Sequence, residues 1–183
     1  MVRKLIVITL VALAAAVGLS LFLPSQYTVR RSLTLDASPA EIFPLISDLP
    51  AWSAWDPMLR DNPTIRSTYG AGPSDGPKGS WERWTVAGGA GGRRVIKAVE
   101  PMRRVALDLA FDRDASIAEM ELTLEPEGSQ TRVTWILTGE LGGAPIARWG
   151  GLLMDTRMGV QHERGLRNLA KAIPKRPPAL PKP

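Results

Sequence analysis

Residues 5–23 form an apolar run without a single charge, interrupted only by Thr9 and Ser20. Arg3 and Lys4 precede it and Pro24 ends it. A helix buried in a soluble core keeps a polar face, and this run has none. At about 1.5 Å rise per residue it nearly crosses a hydrocarbon core. A retained anchor and a cleaved signal are both open readings. The A-x-A-like stretch Ala14-Ala15-Ala16 lies inside the run, with residues 17–23 still to come, which favours the anchor. Either reading puts the rest of the chain on the extracytoplasmic side when Arg3 and Lys4 stay in the cytoplasm. Arg30 and Arg31 follow the run closely, but they are expected inside the folded domain, where they weigh less on orientation.

From residue 27 the period changes to two. Val29, Leu33 and Leu35 share one side of the opening strand, and so does Arg31. Asp36-Ala37-Ser38-Pro39 then reads as a helix start, with Ser38 as N-cap, Pro39 at the first helical position and Glu41 closing a capping box. Asp48-Leu49-Pro50 breaks that helix, and a second short helical or turn segment carries Trp52 and Trp55. Short strands are expected at 64–69 and 81–86, separated by the Gly/Pro/Ser loop 70–79. The glycine-rich stretch 88–92 is a hairpin connection. The segments 93–99, 105–111, 117–124 and 131–138 complete a meander, with turns at Pro101, at 112–114 and at 125–128. Within it Val105, Leu107, Leu109 and Phe111 fall on one face, as do Met120, Leu122 and Leu124, and Val133, Trp135 and Leu137. One-sided strands mean an antiparallel sheet with one dry face, which needs a cover.

The cover is expected from 145–173. Ile146, Gly150, Leu153 and Met154 form one apolar stripe, and Met158, Gly165, Leu166, Leu169 and Ile173 form a second, rotated one. The offset predicts a bend near Gly159. Pro174 stops the helix, and 174–183 is a Pro/Lys-rich tail expected to be disordered. The fold class is therefore α+β: an anchor at 1–26, one domain at 27–173, and the tail.

Charge changes this picture little. The net charge is +5, but Arg3, Lys4, Lys171, Lys175, Arg176 and Lys182 lie at the two ends. Residues 27–170 then carry 17 basic against 18 acidic side chains. A nucleic-acid-binding domain keeps its basic excess on the folded part, so nucleic acid is not an expected partner. Basic ends suit anionic headgroups better. The chain has no cysteine and one histidine, which removes disulfides, thiol chemistry and multi-histidine metal sites. No metal or cofactor is expected. The stretch 88–92 is not a phosphate loop, because no helix and no Gly-Lys-Ser/Thr ending follow it. Oligomeric state has no signal in the sequence.

The order of strand, two short helices, long meander and long C-terminal helix resembles the START/Bet v 1-like superfamily, within it the polyketide cyclase/dehydrase and lipid-transport group. The resemblance covers 27–173. It is carried by DASPAEIFPLISDLPAWSAWDP after the first strand, including Trp52, Trp55 and Pro57, by LTLEPEGSQTRVTWILTGEL as a final hairpin, and by HERGLRNLAKAI at the end of the long helix. It implies a helix-grip fold, a curved antiparallel sheet wrapped around the last helix with a cavity between them. It also implies a lipid or other hydrophobic small molecule as partner.

Candidate residues of the cavity that the resemblance implies are Arg31, Trp52, Trp55, Trp84, Leu107, Leu109, Phe111, Met120, Leu122, Trp135, Met154, Met158 and His162. Trp52 and Trp55 suit either an aromatic lip or a plug at one end of the sheet, and the plug is favoured. Arg31 suits either a ligand carboxylate or a solvent-reaching strand end. Asp155, Arg157, Glu163 and Arg164 are simplest as solvent-facing pairs. His162 lies roughly 40° from Met158 and 20° from Leu169 on the helix, facing the sheet. Asp108 and Glu119 lie on the outer sheet face, so a buried histidine with a satisfied nitrogen is favoured over a catalytic base. The expected function is membrane-tethered binding of a hydrophobic molecule. The alternatives are a cyclase- or hydrolase-like enzyme using His162, and an interaction module with a collapsed cavity.

Overall fold

The structure, a computed structural model, describes residues 2–73, 76–89, 91–112, 117–142 and 144–174. The basic tail beyond 174 and the Arg113-Asp114 turn lie outside the described residues. Helix α1, Val2–Ser20, carries the apolar run. None of its membrane-length window is buried, and among the described residues it is the one helix long and apolar enough to cross a membrane.

Strand β1 (Gln26–Leu35) leads into α2 (Pro39–Ser47) through the expected capping box. The Ser38 amide donates to Glu41 Oε2 at 2.7 Å. The second short helix is in fact two pieces: a 3-10 turn, Leu49–Ala54, and a four-residue α3, Pro57–Arg60. Prolines open both, and Asp56 Oδ1 caps α3 by accepting from the Met58 amide at 3.1 Å. Six strands follow: β2 Arg66–Gly70, β3 Trp81–Thr85, β4 Gly91–Glu100, β5 Arg104–Phe111, β6 Ile117–Glu127 and β7 Gln130–Glu140. A 3-10 turn, Pro145–Ala147, precedes α4, Arg148–Ala172.

The seven strands make one curved antiparallel sheet in the order β1-β7-β6-β5-β4-β3-β2. The first strand returns to lie beside the last, with Val29 opposite Leu137 and Leu33 opposite Val133. A bulge between Ile96 and Ala98 shifts the β4–β5 register. The dry face predicted by parity is buried as expected: Val105, Leu107, Leu109, Met120, Leu122, Val133 and Leu137 all lie in the core. Helix α4 covers it with Leu166 and Leu169, completing the helix-grip.

Helix α4 is continuous through Gly159. The glycine serves close approach, because a Cβ there would fall into the Arg31 guanidinium. One expectation about α4 needs correction: the first stripe fails as a cover. Met154 packs on the core, but Ile146 and Leu153 are exposed. The start of α4 meets α1 instead: Arg148 Nη1 donates to the carbonyls of Leu21 and Leu23 at 3.0 and 3.2 Å, and Trp149 Nε1 to that of Ala16 at 3.3 Å.

Candidate functional site

Between the second half of α4 and the sheet lies a cleft of about 420 Å3. That size is within the range of small-molecule sites. Alternation on β5, β6 and β7 aims Leu109, Phe111, Met120 and Trp135 into it, and α4 adds Met158 and His162. Asp56, Pro57, Met58 and Arg94 close the inner end, while Asp61, Gln161 and Arg164 stand at the rim. An ion pair of 3.0 Å between Arg164 and Asp61 fastens α4 to the segment after α3 there. A larger depression of about 720 Å3 runs between α2 and the β2–β3 edge. It contains no buried unpartnered side-chain atom among the described residues, whereas the smaller cleft does.

Arg94 Nε at the inner end has Glu82 as an ion-pair partner, and the others belong to Trp135 and His162. The two rings stack at 4.3 Å with 7° between their planes. His162 is 1% exposed, and neither its Nδ1 nor its Nε2 has a hydrogen-bond partner. Trp135 Nε1 also lacks one. A satisfied histidine was expected, and the protein itself supplies a partner to neither nitrogen. Helix α4 places the ring over the indole, and the carboxylates Asp108 and Glu119 are on the other sheet face with Lys97. Burial pushes the imidazole pKa down to about 4, helped by the charge of Arg31 and opposed by Asp155. The ring is therefore neutral at pH 7, with one donor and one acceptor nitrogen.

Parity arguments missed a buried ionic cluster at the inner end. Arg94 is 1% exposed, Glu82 0% and Asp56 5%. Both Arg94 Nη atoms donate to Asp56 Oδ2 at 2.9 Å. Arg94 Nε lies 2.8 Å from Glu82 Oε2, an ion pair whose N–H is poorly aimed for a hydrogen bond. The guanidinium also lies 4.6 Å from the Trp52 ring and 5.4 Å from that of Trp84. A signal was available. Arg94 and Ile96 share inward parity, as do Glu82 and Trp84, and Arg94 and Glu82 face each other across β3 and β4.

Several candidates stand elsewhere. Trp52 and Trp55 do not line the cleft. They are fully buried, 4.6 Å apart, and their indole nitrogens donate to the carbonyls of Ile46 and Leu45 at 3.0 and 2.9 Å. Both pack edge-on to Trp135 from behind, so they plug the sheet end. Trp84, Leu107 and Leu122 are core, and Met154 packs against it. Phe111 was expected to be covered. It is 42% exposed, at the end of β5, and forms the rim edge-on to Trp84.

Arg31 points inward as parity predicted, but α4 occupies it. Its Nη1 and Nη2 donate to Asp155 Oδ1 and Oδ2 at 2.8 and 3.0 Å, and its Nε to Glu163 at 2.9 Å. Asp155 and Glu163 are thus cross-element partners, and Glu163 also pairs within the helix with Arg167 at 3.9 Å. The hydrogen bond to Asp155, then that to Glu163, raises the arginine pKa, and the same bond lowers that of Asp155. No group of three or more metal-ligating side chains occurs among the described residues.

A long helix gripped by an antiparallel sheet, with an apolar cleft between them, defines a START-like ligand-binding architecture. The chain belongs to the polyketide cyclase/dehydrase and lipid-transport family, whose sequence profile matches residues 26–174. Among solved structures, a protein from Chromobacterium violaceum is 16% identical, with 81% of this chain and 99% of that chain covered and a TM-score of 0.60. A START superfamily protein from Mycobacterium smegmatis is 16% identical over 80% of this chain and 97% of that one, with a TM-score of 0.58. A protein from Rhizobium loti is 19% identical over 80% and 96%, with a TM-score of 0.56. At these identities the likeness is one of fold. No curated protein matches the sequence.

Proposed function

We propose that residues 27–173 hold a hydrophobic small molecule or lipid in the cleft beneath α4, and that residues 1–26 tether them to a bilayer on its extracytoplasmic side. The observation that carries this is the pairing of apolar walls with the unpartnered nitrogens of His162 and Trp135. Burying a chain is worth about 0.8 kcal/mol per methylene. Unpartnered buried polar atoms cost free energy until a partner arrives. The ligand that fits has an apolar body and one hydroxyl, carbonyl or similar group placed at the His162–Trp135 stack.

The open cleft favours this reading over a module with a collapsed cavity. It is also favoured over a cyclase- or hydrolase-like enzyme. A general base works best with a pKa near the operating pH. His162 is held near 4, and no carboxylate hydrogen-bonds it. The contact from Trp149 to the Ala16 carbonyl supports a retained anchor, since cleavage at the Ala14-Ala15-Ala16 stretch would break it.

The test is solvent extraction and mass spectrometry of the full chain purified in mild detergent, beside a Met120→Trp variant that fills the cleft. A bound hydrophobic molecule present in the wild type and depleted in the variant is expected. Equal recovery from both would place any lipid on the anchor and refute binding in the cleft.

A further inference from the structure

Helix α4 is apolar on two opposite sides. On a wheel of about 100° per residue, Trp149, Leu153 and Val160 fall within roughly 40° of one another, with Leu152 flanking them and Ile146 in the 3-10 turn just ahead. Met158, which walls the cleft, lies roughly 140° from Leu153 and roughly 160° from Val160. Ile146, Leu152, Leu153 and Val160 are each more than half exposed, and Trp149 is 37% exposed. Apolar side chains scattered singly on a surface need no explanation, but a stripe running about three turns along one helix does.

Three observations identify what covers it. The stripe begins where Trp149 hydrogen-bonds the last turn of α1 and Arg148 the residues just after it, so it continues the bare apolar surface of the membrane-length helix. The two acids of this part of α4, Asp155 and Glu163, are turned to Arg31, which pairs with both. Arg157 stands beside the stripe and Trp149 at its start, the residue types that sit at headgroup depth.

We propose that the outward face of α4 from Trp149 to Val160, with Ile146 of the preceding turn, docks on the lipid bilayer beside α1, as an interfacial helix with its apolar stripe among the acyl chains. This rests on the tether reading and extends it. The domain is seated on the membrane, and one helix serves both as wall of the cleft and as contact with the lipid from which a ligand would come.

The chain has no cysteine, so nitroxide labels can be placed singly without background. The full chain is reconstituted into phosphatidylcholine/phosphatidylglycerol vesicles as Leu13→Cys in α1, Leu153→Cys and Val160→Cys in the stripe, and Ser53→Cys on an exposed turn. Collisional relaxation by oxygen and by an aqueous nickel chelate is then compared. The expected result is oxygen-dominated relaxation at 13, 153 and 160 and nickel-dominated relaxation at 53. Lipid exposure at 13 with 153 and 160 as nickel-accessible as 53 overturns the docking and leaves the tether standing. Aqueous exposure at 13 as well overturns both. Spin–spin broadening at 153 or 160 that disappears on dilution with unlabelled chain shows a second copy on the stripe, and also overturns the docking.

Discussion

Replacing Arg94 with methionine removes one charge and leaves a side chain of similar length. In the native fold that charge faces two carboxylates, Asp56 Oδ2 at 2.9 Å from both Nη atoms and Glu82 Oε2 at 2.8 Å from Nε. At an effective dielectric of about 20, charges roughly 4 Å apart attract by about 4 kcal/mol. The desolvation of Asp56 and Glu82 persists in the variant, because the Trp52, Trp55 and Trp84 packing around them is unchanged. Relief of the burial of Arg94 itself offsets part of the loss. Breaking a buried pair from one side costs about 3–5 kcal/mol. For a chain of this size that lowers Tm by on the order of 10 °C. Urea denaturation of the full chain in mild detergent, followed by far-UV circular dichroism, measures it. The triple variant Asp56→Asn, Glu82→Gln, Arg94→Met, which leaves no unpaired charge, should recover most of the loss. A single variant within about 1 kcal/mol of wild type, or a triple variant no more stable than the single, would refute the argument that these charges are coupled and dry.

The neutral, buried His162 makes stability fall on acidification. The unfolded histidine takes up a proton below its ordinary pKa of 6.5, while the folded one resists until about 4. Stability is full above that upper value and drops through the window by up to about 3 kcal/mol. His162→Phe should remove this component of the pH dependence, seen as a flatter plot of urea midpoint against pH between 7 and 4.5. A Cβ on Gly165 would meet the Trp135 ring at 2.5 Å and Pro57 at 3.2 Å. Gly165→Ala should therefore cost about 1–3 kcal/mol in the same denaturation assay. Thr131 donates a buried hydrogen bond of 2.7 Å to the Ala37 carbonyl, holding the start of β7 to the β1–α2 corner. Thr131→Val should lower the thermal midpoint, at a cost of about 1–2 kcal/mol.

The parts of the fold that were legible are those whose signal is local and repeated. Period-two runs placed Leu109, Met120 and Trp135 on one face, and the capping box at Ser38 located α2. The parts that were not legible depend on which elements meet. The stripe Ile146–Leu153 reads as core by periodicity, since a helix facing lipid and a helix facing a sheet carry the same residues. Arg31 reads as a free inward cation until Asp155 and Glu163, far along the chain, close on it. His162 was correctly turned toward the sheet, but its lack of a partner is a property of the cleft.

The amino-acid pattern determined the apolar first helix, the one-sided strands and the gripping helix, because burial acts on each element through its own period. Only the tertiary structure decided that Arg94, Glu82 and Asp56 share a dry pocket and that Trp135 and His162 stack with unpartnered nitrogens. It also decided that α4 turns one apolar face outward beside α1. Those outcomes depend on pairing across long sequence separations, where neither charge nor hydrophobicity at a single position states what will stand opposite.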